Sequence, residues 1–149
     1  VEFIFIGAFT RTSHLNLASS LSMSTPLSPS KNLEAQIKDR KLPNAVAHDA
    51  TLEKFFLEGF TAKYSTKYGT AIKCVLTQDG WTTERHKISG IVTGRNRTAK
   101  MVYKAKDGKC YLLADQVFYY EEFIGGKFTN RQIIYSGQGG QEMLCENVK

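Results

Sequence analysis

Three tight-turn dipeptides constrain what this chain can fold into: Asp79-Gly80, Asp107-Gly108 and Gly125-Gly126. Asp-Gly and Gly-Gly supply the positive φ that two-residue hairpins need. Between them lie runs rich in β-branched and aromatic residues, the composition of strands. The spacing predicts strands over 69–77, 81–92, 98–106, 109–124 and 127–135, with a kink at Ser89-Gly90 and a further turn at 94–97. Residues 136–140 read as a glycine loop, and 141–149 as a tail able to add a last edge strand. No helical pattern separates these runs, so the sheet is an antiparallel meander and not a set of parallel crossover units.

A sheet with one apolar face needs a cover, and the sequence supplies it upstream. Leu52, Phe55, Phe56, Gly59, Phe60 and Tyr64 recur at helical spacing, which predicts an amphipathic helix over 47–65. Asp49 or Thr51 is its expected cap, and Glu53 suits the positive end of its dipole. A shorter helix is expected from Pro29, after a Ser28 cap and before the Leu42-Pro43-Asn44 breaker; Leu33 and Ile37 give it only a narrow apolar stripe. The expected fold class is α+β: one long helix packed on a curved five-stranded meander, within a single unit over 28–149.

Helix-then-meander resembles the layout of cystatin-like and nuclear-transport-factor-like domains, a resemblance of architecture that implies no function by itself. Gly90-Ile91-Val92-Thr93-Gly94 is also similar, at Val92 and Gly94, to the Gln-x-Val-x-Gly loop of cystatins. It departs from that pattern at Gly90, and Trp81 lacks the preceding Pro of the family's second loop, so a glycine-rich turn accounts for the stretch.

Residues 1–27 read as a low-complexity leader. It opens on the apolar run 1–9 and continues Ser/Thr-rich, with no acid between Glu2 and Glu34. That composition fits a signal or transit remnant, a linker or an upstream extension before Met23. A targeting remnant would imply an organellar or secreted protein, its absence a cytoplasmic one. The Asn96 sequon (Asn96-Arg97-Thr98) matters only in the secreted case. No run approaches the length of a membrane span. Cys74, Cys110 and Cys145 have no paired metal-ligand spacing, and His14, His48 and His86 are isolated, so no metal or cofactor is implied. Three reduced thiols are expected in preference to one disulfide plus a leftover thiol.

The net charge of +6 is localised. Between Thr83 and Lys109 stand Arg85, Lys87, Arg95, Arg97, Lys100, Lys104, Lys106 and Lys109 against Glu84 and Asp107, which accounts for the whole excess. Such a patch suits an acidic protein surface or phosphate, although solvated lysines also guard strand edges.

The densest stretch is Val117-Phe118-Tyr119-Tyr120-Glu121-Glu122-Phe123. Strand alternation puts Tyr119 and Glu121 on one face and Phe118, Tyr120 and Glu122 on the other, so both faces expect a cover. His86, Asp115 and Glu121 are the acid–base candidates, although no catalytic motif joins them. Three functions follow. The first is a non-enzymatic binding or assembly domain that meets a protein partner or a second copy through an open sheet face. The second is a small-molecule carrier or enzyme with a helix–sheet pocket lined by Phe56, Phe60, Tyr119 and Tyr120. The third is an RNA- or phosphate-binding module on the basic patch.

Overall fold

The computed structural model describes residues 29–149, so the leader lies outside the described residues. The architecture is α+β: two helices and a seven-stranded antiparallel open sheet. The elements in order are α1 (Pro29–Asp39), α2 (Ala50–Tyr64), β1 (Thr70–Leu76), β2 (Thr82–Arg85), β3 (Val92–Lys104), β4 (Cys110–Leu113), β5 (Val117–Ile124), β6 (Lys127–Ile134) and β7 (Gly140–Met143), followed by a 3-10 turn, Cys145–Asn147.

The register shows how seven strands follow four lines. β1 and β2 both run antiparallel to β3 along one side, Leu76 opposite Ala99 and Thr82 opposite Asn96. β4 and β5 do the same on the other side, Leu112 opposite Val102 and Val117 opposite Ala99. β6 pairs with β5, and β7 with β4. Only β3 is continuous. The other lines are interrupted at 77–81, 114–116 and 135–139.

This corrects the five-strand expectation at three points. Asp79-Gly80 does not reverse the chain, because β1 and β2 point the same way along β3. The reversal comes later, at 86–91, where His86 N donates to Ile91 O at 2.8 Å and Gly90 N to His86 O at 2.9 Å. The expected turn at 94–97 is the paired middle of β3, with neighbours on both sides. The expected single strand over 109–124 is β4 and β5 with a break between them. Asp107-Gly108 and Gly125-Gly126 do turn the chain, and both Gly108 and Gly125 have positive φ (85° and 58°).

Helix α2 begins as expected. The Asp49 side chain accepts from Leu52 N at 3.0 Å, and Glu53 Oε1 accepts from Asp49 N at 3.3 Å, a reciprocal cap. Leu52, Phe56 and Phe60 are buried against Leu76, Ala99, Met101, Leu113, Val117 and Ile133. Gly59 permits the close approach to β6: a Cβ there would sit 2.5 Å from Ile133 Cγ1. Phe60, Tyr64, Tyr68 and Tyr135 close this end of the core with ring centroids 5.0–6.5 Å apart.

Among the described residues, the face of the sheet away from α2, its outer face, is covered only in part. Val102, Cys110, Leu112 and Met143 pack beneath Leu42 and Val148. The tail is held to α1 by Asn147 Nδ2, which donates to Lys38 O at 2.7 Å and Arg40 O at 3.1 Å. It is tied to β4 by a Cys110–Cys145 disulfide, which corrects the expectation of three reduced thiols. The reason is topological: β7 runs beside β4, and the 3-10 turn then brings Cys145 back over Cys110, with Cα atoms 5.2 Å apart.

Two measurements follow. In denaturant, an alkylating reagent should label one thiol without reductant and three with it. Under native conditions it should label none, because Cys74 is buried and its thiol is pushed up to about 12, by burial first and then by Glu53. Replacing both Cys110 and Cys145 by Ser should lower unfolding stability by roughly 3–4 kcal/mol, the scale for a loop of this size. An unchanged urea midpoint would contradict this.

Candidate functional site

Two regions gather the chemistry-bearing side chains, one on each sheet face. The first is a cleft on the inner face, where the start of α2 meets the sheet. Asp49, Thr51, Leu52 and Phe55 line one side; Trp81, Arg95, Tyr119, Glu121 and Arg131 line the other, around 270 Å³. Trp81 comes from the break between β1 and β2. Arg95 is on β3, Tyr119 and Glu121 on β5, and Arg131 on β6.

Glu121 is the hub of this cleft, and it is only 4% exposed. Arg95 reaches its Oε2 with Nε and Nη2, both at 2.6 Å. The Tyr119 hydroxyl donates to Oε1 at 2.7 Å, and Arg131 Nε lies 3.5 Å from the same oxygen. Burial alone would raise the Glu121 pKa. The hydrogen bonds from Tyr119 and Arg95 and the charges of Arg95 and Arg131 outweigh it, so the carboxyl titrates below its ordinary value. The Tyr119 hydroxyl is pushed up to about 12, by burial first and then by its bond to Glu121. Both groups are therefore locked, one ionised and the other protonated. A proton-transfer group works best when its pKa lies near the operating pH, and neither qualifies.

The Arg95 guanidinium is held between two rings, 4.0 Å from the Trp81 centroid and 4.2 Å from that of Phe128. Trp81 also faces Tyr119, centroids 5.5 Å apart, and Tyr119 meets Phe55 edge-on at 5.0 Å. Behind Trp81, the Arg97 Cζ lies 5.8 Å from the ring; its Nη2 donates to Gln78 O at 3.0 Å. Arg97 Nε and Gln78 Oε1 are buried with no hydrogen-bond partner among the described residues.

The second region is the uncovered half of the outer face. Phe118, Tyr120 and Ile134, with Glu84, Asn96 and Ser136, surround a depression of 350 Å³. The Tyr120 ring lies across Gly94, where a Cβ would have no room, and its hydroxyl donates to Thr93 O at 3.2 Å. Asn96 Nδ2 donates to Glu84 Oε1 at 2.6 Å, and Asn130 Nδ2 to Glu122 Oε2 at 2.9 Å.

The other expected site residues are dispersed. Phe56 and Phe60 are wholly buried core side chains and lie in the lining of neither of these regions. Tyr119 and Tyr120 point to opposite faces, as alternation requires. His86 is exposed in the β2–β3 turn, with Nδ1 3.1 Å from Ser89 Oγ. Asp115 sits in the break between β4 and β5. Neither shares a hydrogen bond with Glu121 among the described residues. The basic run does not form one patch. Arg85 and Lys87 lie at the β2–β3 turn, whereas Lys104 and Lys106 are exposed at the other end of β3. Lys109 pairs with Glu142 at 3.0 Å. Lys100 donates to Leu113 O at 2.8 Å and also to Ala114 O, and burial holds its ammonium below its ordinary value, partly offset by Asp115. Asn96 is 7% exposed in mid-sheet and its amide is bonded to Glu84, a poor place for a sequon to be modified.

Sequence reasoning missed Trp81, Phe55 and Arg131 as site residues. Trp81 is the only tryptophan, a signal that was present. Arg131 carries no local signal, because its place beside Glu121 depends on the β5–β6 register, which shifts between Tyr120 and Glu122. Among the described residues, no cluster of three or more His, Cys, Asp or Glu could hold a metal ion, and no helix is long and apolar enough to cross a membrane. Protein-family models, curated proteins and solved structures were all compared with the chain, and none matches.

Glu121 also sets a pH dependence. Its folded pKa lies below its ordinary 4.5. The stability it contributes is therefore present above the unfolded value and is lost as pH falls through the folded one. In a urea series below about pH 5, wild type should lose stability more steeply than Glu121→Gln. Parallel acid limbs would contradict the hub.

Proposed function

We propose that this chain is a non-enzymatic binding and assembly domain that pairs with a second copy of itself through the open half of its outer sheet face. One observation carries this reading. Among the described residues, Leu42, Val148 and a disulfide-tied tail cover one half of that face, while Phe118, Tyr120 and Ile134 surround an unfilled depression. Phe118 is 37% exposed, and Glu84, Asn96 and Ser136 stand beside the three apolar side chains. Exposed apolar surface rimmed by polar residues marks interaction sites.

The details favour self-pairing. Tyr120 is held in place by Gly94 and Thr93 before any partner arrives, so little rotamer freedom is lost on docking. Carboxylate–amide pairs lie on both sides of it, Glu84 with Asn96 and Glu122 with Asn130. A patch with donors and acceptors on both flanks can meet itself across a two-fold axis. The locked Glu121–Tyr119 pair supports a non-enzymatic role. The engagement of Arg97 and Lys100 with backbone carbonyls, and of Arg95 with Glu121, leaves fewer cations for phosphate or an acidic partner. The packing of α2 on one face of an antiparallel sheet is what supports a cystatin-like or nuclear-transport-factor-like layout.

Light scattering over a concentration series tests this. Wild type should pass from monomer to dimer, and Tyr120→Glu should stay monomeric with an unchanged far-UV spectrum. A wild type that is monomeric throughout, or a Tyr120→Glu variant that dimerises equally well, would overturn the proposal.

A further inference from the structure

The inner-face cleft is separate from the proposed interface, and its chemistry points to a ligand of its own. We propose that it binds a small aromatic carboxylate, the ring seated among Phe55, Trp81 and Tyr119 and the carboxylate taken by Arg131.

Size comes first. A volume of 270 Å³ lies just below the usual range for small-molecule pockets, which suits a single-ring molecule. Shape comes next. Phe55, Trp81 and Tyr119 stand 5.0 and 5.5 Å apart in edge and tilted arrangements, and Leu52 adds to the same lining. A flat apolar body fits such a wall, and Trp81 is still 39% exposed with nothing in the described chain covering it further.

Charge selects the polar end. Glu121 is satisfied by Arg95 and Tyr119. Asp49 is occupied with the first turn of α2, whose dipole offsets its charge. Arg131 meets Glu121 with Nε at 3.5 Å, and its side chain is 66% exposed. Its Nη groups have no hydrogen-bond partner among the described residues, so a planar fork of donors is left at the rim, suited to a carboxylate. Two arginines and two carboxylates line the cleft. With both carboxylates engaged, Arg131 is the lining cation that keeps donors at the rim, beside the aromatic wall.

Trp81 is the only tryptophan, so tryptophan emission, excited selectively, reports this cleft. The folded protein is titrated at low ionic strength with benzoate, its neutral isostere benzamide, and benzylamine. Benzoate should change the Trp81 emission saturably, and benzamide and benzylamine should bind at least about tenfold more weakly, the scale of one charge-assisted hydrogen bond. Arg131→Gln should lose about the same factor for benzoate and leave benzamide unaffected. Tyr120→Glu should leave benzoate binding unchanged, which separates this site from the outer-face interface. Failure of benzoate to saturate beyond the quenching seen in the unfolded chain would overturn the proposal. So would equal binding of the three probes, or an Arg131→Gln variant that binds benzoate as wild type does.

Discussion

The fold depends on β3 remaining continuous while its neighbours break. A 13-residue strand at the centre of a sheet must pair along both edges, and here two collinear strands on each side do that. Each interruption frees backbone groups that need partners. β3 supplies two of those partners itself: Arg97 reaches Gln78 O in one break, and Lys100 reaches Leu113 O and Ala114 O at the other. Thr77 N, at the start of the first break, donates to Thr98 O at 3.0 Å. The breaks thus sit opposite the middle of β3, and the cations there help hold the sheet together. This is why a run of positive charge in the sequence does not become a positive surface.

The same constraint explains what could be read from the sequence. Helix α2 was legible because Leu52, Phe56 and Phe60 repeat at helical spacing; of the two expected caps, Asp49 and Thr51, Asp49 is the one used, and the helix runs 50–64 where 47–65 was expected. Asp107-Gly108 and Gly125-Gly126 were legible because local turn chemistry decides them. Asp79-Gly80 carries the same chemistry but lies in a break, where the chain leaves the sheet edge and rejoins it without reversing. Turn residues report that a strand stops; they do not report where the chain goes next. Gly94 looked like a turn residue and is needed for the Tyr120 ring instead, a contact between strands that sequence order does not show. The disulfide was hidden for a related reason, since Cys110 and Cys145 meet only once β7 has paired with β4.

Function divides along the two sheet faces. On the inner face the Glu121 hub holds Arg95, Tyr119 and Arg131 around one carboxylate and fixes the wall of the cleft. Alternation along β5 had already put Tyr119 with Glu121 and Tyr120 with Phe118, so the two-sided character of that strand was readable. What each side meets was not, because Trp81, Phe55 and Arg131 come from three other elements. On the outer face the tail closes one half, and among the described residues nothing closes the half around Tyr120.

Native-state amide hydrogen exchange tests the continuity of β3 most directly. Amides of β3 from Gly94 to Tyr103 should exchange only through global unfolding, while those at 77–81, 114–116 and 135–139 exchange through local opening. Fast local exchange at 94–97 would mean that the chain turns there. The central strand would then be broken, and the placement of Arg95, Arg97 and both sheet faces would fall with it.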